Sequence, residues 1–278
     1  MHLPGIEPGS VPWQALFRFR KTTRHFKSYH GDWFNELRNK LLPRLSRSLS
    51  CSATSLDELF AHVAALLCHF QTYYTALDRA ATPDQVPFLL NPPWRGPLEK
   101  AFLFLGDLHP YLFTNLLRSF LDNADGYGDS FKDYELGYHL DFNNDGKDVE
   151  KQWQMETVWK NPSESLKPRI EEIERGLRLM VPALLGRLKA AQMRFVDCVA
   201  AKWPENDGNE RAAVVRVAAV AEMEELARVF KDVNRLRRST ISEIVAAMTT
   251  YEAALFLQAL AQFVVGLRNL DLAHKSGQ

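Results

Sequence analysis

The stretch Asn91-Pro92-Pro93-Trp94-Arg95-Gly96-Pro97-Leu98-Glu99-Lys100 runs on through Ala101-Phe102-Leu103-Phe104-Leu105-Gly106-Asp107-Leu108-His109-Pro110-Tyr111, and the fold turns on it. Pro92 and Pro93 fix φ and remove two backbone donors, so no helix continues through them. Trp94 supplies a large apolar anchor. Pro97 has the geometry of a first helical residue, with Glu99 and Lys100 in the turn it opens. A second break, Gly106 to Pro110, opens another helix, Tyr111-Leu112-Phe113-Thr114-Asn115-Leu116-Leu117-Arg118-Ser119-Phe120. The whole reads as a buried helical corner.

Outward from this corner the periodicity is helical on both sides. Phe26, Trp33, Leu37 and Leu41 recur at helical spacing, and Pro43 predicts a kink. Ser55 with Glu58 forms a capping box for a helix that buries Leu59, Val63, Leu66, Leu67, Phe70 and Tyr74. Ser165 and Pro168 start a later helix with Ile170, Ile173, Leu177, Val181, Leu184, Leu188, Phe195 and Val199 on its apolar face, bent at Pro182. A further run carries Val215, Ala219, Met223, Leu226, Phe230 and Val233. Thr240 with Glu243, and Thr249 with Glu252, read as two more capping boxes. The last run presents Leu255, Phe256, Leu260, Phe263, Val264, Leu267 and Leu270. No alternating strand pattern and no repeat emerges. The expected fold is all-α: a single multi-helix bundle, with a long acidic loop inserted between N- and C-terminal halves. The expected boundaries are a flexible lead over 1–21, the helical domain over 22–272 with the acidic loop at 122–150, and a tail over 273–278.

Composition narrows the function classes. The 278 residues hold 34 Lys plus Arg and 34 Asp plus Glu, and this neutrality argues against a nucleic-acid clamp. Cys51, Cys68 and Cys198 are few, odd in number and far apart, which fits free thiols in a reducing compartment; Cys68 and Cys198 read as core residues. By this reading no apolar stretch reaches the length of a membrane span, and the N-terminus lacks a continuous signal-peptide core, so the chain is expected to stay inside the cell. No CxxC pair, HExxH, phosphate loop or nucleophile elbow is found, and catalysis is not expected.

Four sites stand out. Arg18, Arg20, Lys21, Arg24 and Lys27, interleaved with Trp13, Phe17 and Phe19, read either as an anionic-membrane contact or as the solvated first turn of helix one. Asp141, Asn143 and Asp145, with Gly146, match the first half of a calcium loop, but Gln152 stands where a bidentate carboxylate is needed. This leaves a solvated acidic loop or weak Ca²⁺ binding. At the corner, Trp94, Leu98 and Phe102 read as core, while Arg95 and Lys100 read as exposed partner contacts. Asp107, His109 and Tyr111 sit at a helix start, with Asp107 as a cap and His109 as a conformational lock, and all three read as further candidates for partner or membrane contact.

The corner carries a resemblance. Together with Phe26-Lys27-Ser28-Tyr29, Trp33-Phe34-Asn35-Glu36-Leu37, His69-Phe70-Gln71-Thr72-Tyr73-Tyr74, Asn234-Arg235-Leu236-Arg237 and Met248-Thr249-Thr250, it resembles the plant DOG1 domain over about residues 24–270. That domain occurs in the delay-of-germination dormancy protein and in TGA transcription factors. The stretch Gly106 to Leu121 and the acidic segment after it look like the inaperturate-pollen branch. The resemblance implies a non-enzymatic scaffold that helps mark plasma-membrane patches left uncovered by the pollen wall. Its implied partners are a protein kinase and other aperture factors. It also implies a cytoplasmic location, peripheral at those patches, with a nuclear pool. No basic zipper precedes the domain, so direct DNA binding is not implied. The dormancy protein's haem association uses C-terminal histidines. Here Ser239 to Asp271 has none, and His274 lies beyond, so no cofactor is expected. The alternative is a ligand-sensing regulator of dormancy or transcription, holding haem or a fatty acid in a groove lined by Tyr73, Tyr74, Trp94 and Phe104.

Overall fold

A computed structural model describes residues 26–51, 53–124, 158–159, 162–202 and 208–276. Arg18, Arg20, Lys21 and Arg24, the lead, and the calcium-like Asp141, Asn143 and Asp145 lie outside these residues.

The first helix, α1 (26–36), passes into a π-helical turn, Leu37–Leu41, before α2 (Leu42–Ser50). The expected kink at Pro43 takes this form. A proline ring displaces the carbonyl four residues back, and one turn with wider hydrogen bonding absorbs the conflict; the Leu42 amide donates to Leu37 O. Helix α3 (Leu56–Ala80) starts as expected, with the Ser55 hydroxyl accepting from the Glu58 amide at 3.2 Å. Short helices α4 (Val86–Leu90) and α5 (Pro97–Ala101) flank the double-proline corner.

Between α5 and α6 (Pro110–Ala124) the chain makes a small antiparallel hairpin, β1 (Leu103–Phe104) with β2 (Asp107–Leu108), that periodicity did not foresee. Its two-residue loop has Leu105 at φ 45° and Gly106 at φ 88°. Positive φ at both positions gives a primed turn matching strand twist. Gly106 has a second reason: a Cβ there would meet Leu89 O at 2.2 Å and Phe230 Cε2 at 2.8 Å. Two-residue strands leave no alternation to read. The fold is all-α, as expected.

Helix α6 reaches Ala124, so the first residues assigned to the acidic loop are helical. Helices α7 (Leu166–Lys202) and α8 (Gly208–Ala246) form a long hairpin. Helix α8 runs straight through Thr240, whose hydroxyl donates to Leu236 O at 2.8 Å. The expected capping box there is therefore wrong: the apolar stripe continues past it with Ile241 and Ile244 buried. The second box is real. The Thr249 amide donates to Glu252 Oε2 at 2.7 Å and the Glu252 amide to Thr249 Oγ1 at 3.3 Å. Glu252 also accepts from the Ser163 amide, tying the start of α9 (Thr250–Ser276) to the loop before α7. Helix α9 continues into the expected tail.

Helix α9 is the central post, with Ala253, Ala254, Phe256, Leu257, Leu260 and Ala261 buried against α2, α3, α5 and α6. Its Thr250–Leu270 segment is long and apolar enough to cross a membrane, which corrects the sequence expectation. Burial on several sides explains the composition: a helix surrounded by others needs no polar face. Cys68 is also corrected. It is exposed, on the face of α3 opposite Leu66 and Phe70, and Cys198 is half-buried. At α1, the Trp33 indole donates to His69 O at 3.1 Å and the His69 Nε2 to Trp33 O at 3.0 Å, with the rings stacked 5.0 Å apart. This reciprocal clasp fixes α1 on α3.

Candidate functional site at the double-proline corner

The corner's chemistry centres on Asp107, which is 1% exposed. One carboxyl oxygen accepts from Tyr73 Oη at 2.6 Å and from an Arg95 terminal nitrogen at 2.6 Å. The other accepts from Tyr74 Oη at 3.3 Å and from the Leu108 amide at 2.8 Å. Burial alone would raise this carboxyl's pKa. The Arg95 and Arg237 guanidiniums and the Tyr73 hydroxyl outweigh it and hold it below the usual carboxylate range. Burial, reinforced by the neighbouring Asp107, pushes both tyrosine hydroxyls well above their usual values.

Arg95 bridges two carboxylates. Besides Asp107 it donates to Glu99 Oε1 at 3.0 Å, and Glu99 Oε2 accepts from the Gly96 amide at 2.9 Å. One ion-pair chain thus caps α5 and fastens it to β2. Arg95 is 7% exposed, so its expected role as a surface contact is corrected: the prolines aim it inward, where it offsets two buried acids. Asp107 is corrected in the same way. It neither caps α6 nor faces a partner. Leu98, expected in the core, is 37% exposed.

Arg237, fully buried on α8, completes the network. It donates to the carbonyls of Phe104, Asp107 and Leu108 and to Asn234 Oδ1. Asn234 in turn donates to Asp78 at 2.9 Å, and Arg238 pairs with the same carboxylate at 2.9 Å. A single guanidinium therefore gathers three carbonyls of the hairpin and welds the corner to α3 and α8.

His109 does cap α6: its Nδ1 accepts from the Tyr111 amide at 3.2 Å, which places the ring proton on Nε2. Its ring stacks on Tyr111 at 5.2 Å and leans on Phe104 at 4.6 Å. Partial burial and the nearby Arg237 lower its pKa. Asp107 and His109 serve different neighbours and form no acid–base pair. Of the expected contact residues, Lys27 and Lys100 are exposed, and His109 and Tyr111 are half-buried at the rim. Tyr73 and Tyr74, expected to line a groove, are buried with their hydroxyls committed to Asp107. Among the described residues, no group of three or more His, Cys, Asp or Glu is placed to hold a metal ion.

A family model described as seed dormancy control, DOG1, matches residues 41–119, the span that contains Tyr73, Tyr74, Arg95, Glu99 and Asp107. The chain is 40% identical to INAPERTURATE POLLEN1 of Arabidopsis thaliana over 92% of its length and 94% of that protein's. The chain belongs to the inaperturate-pollen branch of the DOG1 family. It is also 33% identical to the INAPERTURATE POLLEN 1 homolog of Oryza sativa subsp. japonica, over 92% of the chain and 89% of the homolog. For this DOG1-family protein, the matched model ends before Arg237, so the network joins the matched span to α8 beyond it. Sequence reasoning quoted Asn234 and Arg237 but assigned them no role. The signal was present: Arg237 falls on the apolar stripe of Phe230, Val233, Ile241 and Ile244, where a charge needs a buried partner.

Proposed function

We propose that this DOG1-family chain is a pollen aperture factor, a non-enzymatic scaffold that marks plasma-membrane patches where the outer wall is not laid down. The observation that carries this reading is 40% identity, along nearly the whole of both chains, with a protein named for inaperturate pollen. The site chemistry is compatible with it. The corner's acids and hydroxyls are tied to one another, while Lys100 and Leu98 are exposed and His109 and Tyr111 half-buried, and these four offer the contact surface. The partners in this reading are a protein kinase and other aperture factors. Membrane attraction comes from Arg18, Arg20, Lys21, Arg24 and Lys27, each charge worth ~1 kcal/mol near an anionic leaflet. No haem or metal takes part.

The test is a fluorescent fusion in developing microspores, intact and with those five basic residues neutralised. Discrete membrane patches that disperse in the neutralised variant support the reading. Diffuse or nuclear signal from the intact protein with no membrane patches would sink it.

A further inference from the structure

A polar contact joins α1 to α9 inside the bundle. A terminal nitrogen of Arg268 lies 3.1 Å from His30 Nδ1, and His30 is 1% exposed. A guanidinium can only donate, so Nδ1 accepts and the ring proton sits on Nε2. The imidazole is therefore neutral. The same guanidinium lies over the Phe34 ring, 4.4 Å from its centre. Arg268 thus grips two residues one turn apart on α1.

Rings and charges surround His30. The rings of Trp33 on α1, Tyr73 on α3 and Trp94 at the corner are centred 6.1, 6.0 and 6.2 Å from its own. The charges that act on it are those of Arg95 at the corner, Arg268 on α9 and Asp107 on β2. Burial and the two arginines hold its pKa well below the usual value, while Asp107 pulls the other way. Asp107 is already engaged by Arg95, Tyr73, Tyr74 and the Leu108 amide. On α1 itself, Lys27 and Asp32 are exposed.

Protonation reverses the contact. Both nitrogens of an imidazolium donate, so Nδ1 would meet Arg268 donor to donor with like charges. Neither group can turn acceptor, so the pair must part, and Arg268 leaves its seat on Phe34. The other fastening of α1 does not respond in this way. His69 Nε2 donates to Trp33 O whether or not that ring takes a second proton.

We propose that His30 and Arg268 form a proton-sensitive latch, which holds α1 on α9 while the imidazole is neutral and lets α1 lift when it is protonated. Lifting uncovers Tyr73 and Trp94, on which Phe26 packs at 6.1 and 5.5 Å between ring centres. The closed state binds the proton weakly, and the lifted state binds it with the ordinary midpoint of about 6.5. Closure is therefore strongest above that pH and weakens as pH falls below it. From pH 7.5 to 5.5 a freed imidazole goes from about one-tenth to about nine-tenths protonated, which raises the lifted-to-closed ratio about tenfold. This inference is independent of the aperture-factor reading.

The test is amide hydrogen exchange on the full chain at pH 7.5 and 5.5, each rate referred to the unstructured-peptide rate at that pH. The α1 amides should be less protected than those of α3 from Leu66 to Phe70, and their opening constant should rise about tenfold at pH 5.5. His30→Gln keeps a carbonyl acceptor for Arg268 but cannot be protonated. In this variant the rise should shrink to the smaller part carried by His69, whose pKa is also lowered by burial. Nitrogen NMR of the natural chain should show His30 still neutral at pH 5.5, with its hydrogen on Nε2. A His30 titration at the ordinary value, α1 protection equal to that of α3, or an undiminished rise in His30→Gln would each overturn the latch.

Discussion

Arg95→Met tests whether the corner is held by its ion-pair chain. Methionine keeps much of the stem's volume, so the change mainly removes charge and donors. Lost are the contacts to Asp107 at 2.6 Å, Glu99 at 3.0 Å and Tyr73 Oη at 3.0 Å. Two of these reach carboxylates, and hydrogen bonds to charged groups contribute ~1.5–3 kcal/mol each. Removing one partner of a buried pair costs ~3–5 kcal/mol because the remaining charge stays buried. The two figures agree, and a loss of ~4 kcal/mol is expected. For a chain of this size, where each kcal/mol moves Tm by ~2–4 °C, the shift is ~8–16 °C downward. Urea denaturation at pH 7 gives the free energy and a thermal scan the shift.

The pH dependence sharpens the test. In the natural protein the folded Asp107 pKa lies below its ordinary value, so its contribution is present above the unfolded value of about 3.9 and fades as pH falls through the folded one. Without Arg95, burial becomes the dominant influence and lifts the folded pKa above the unfolded one. The folded variant then binds the proton more tightly and regains stability as pH falls. The gap between the two proteins should therefore narrow from pH 7 to pH 5. Adding Asp107→Asn to the variant should recover ~1 kcal/mol or more, as contacting residues couple. A loss below ~1 kcal/mol, or a gap unchanged between pH 7 and pH 5, would refute the argument.

Two other outcomes follow from the same fold. Gly106→Ala should cost ~3 kcal/mol or more in urea denaturation, since positive φ costs ~1–2 kcal/mol and the new methyl meets Leu89 O and Phe230; wild-type stability in this variant would disprove the hairpin geometry. Glu252→Ala should cost more than Thr249→Ala, which loses ~1 kcal/mol of capping, because Glu252 also holds the Ser163 amide; equal losses would show that the loop tie contributes nothing.

Local signals were legible wherever one residue and its near neighbours decide the outcome. Ser55, Thr249 with Glu252, the break at Pro92-Pro93 and the apolar stripes of α3 and α7 all belong to that class. Thr240 misled because a capping pattern also arises inside a helix. Only the continuation of the stripe through Ile241 and Ile244 distinguishes the two cases. Arg95 and Asp107 misled for a different reason. Charges default to the surface, and their burial becomes visible only once Tyr73, Tyr74 and Glu99 are known to converge on them from two separate helices.

That convergence explains why the corner is written in such unusual residues. Two prolines and a primed turn direct Arg95 and Asp107 inward, where both would be costly alone. Each is then satisfied by partners from α3 and α5, while Arg237 reaches across from α8 to collect the hairpin carbonyls. Exchanging Arg95 or Asp107 alone leaves the other's buried charge without that partner. Such a network specifies one arrangement of α3, α5, α6 and α8, and with it the placement of His109 and Tyr111 at the rim. A rim held by interior charge rather than by loop contacts is rigid.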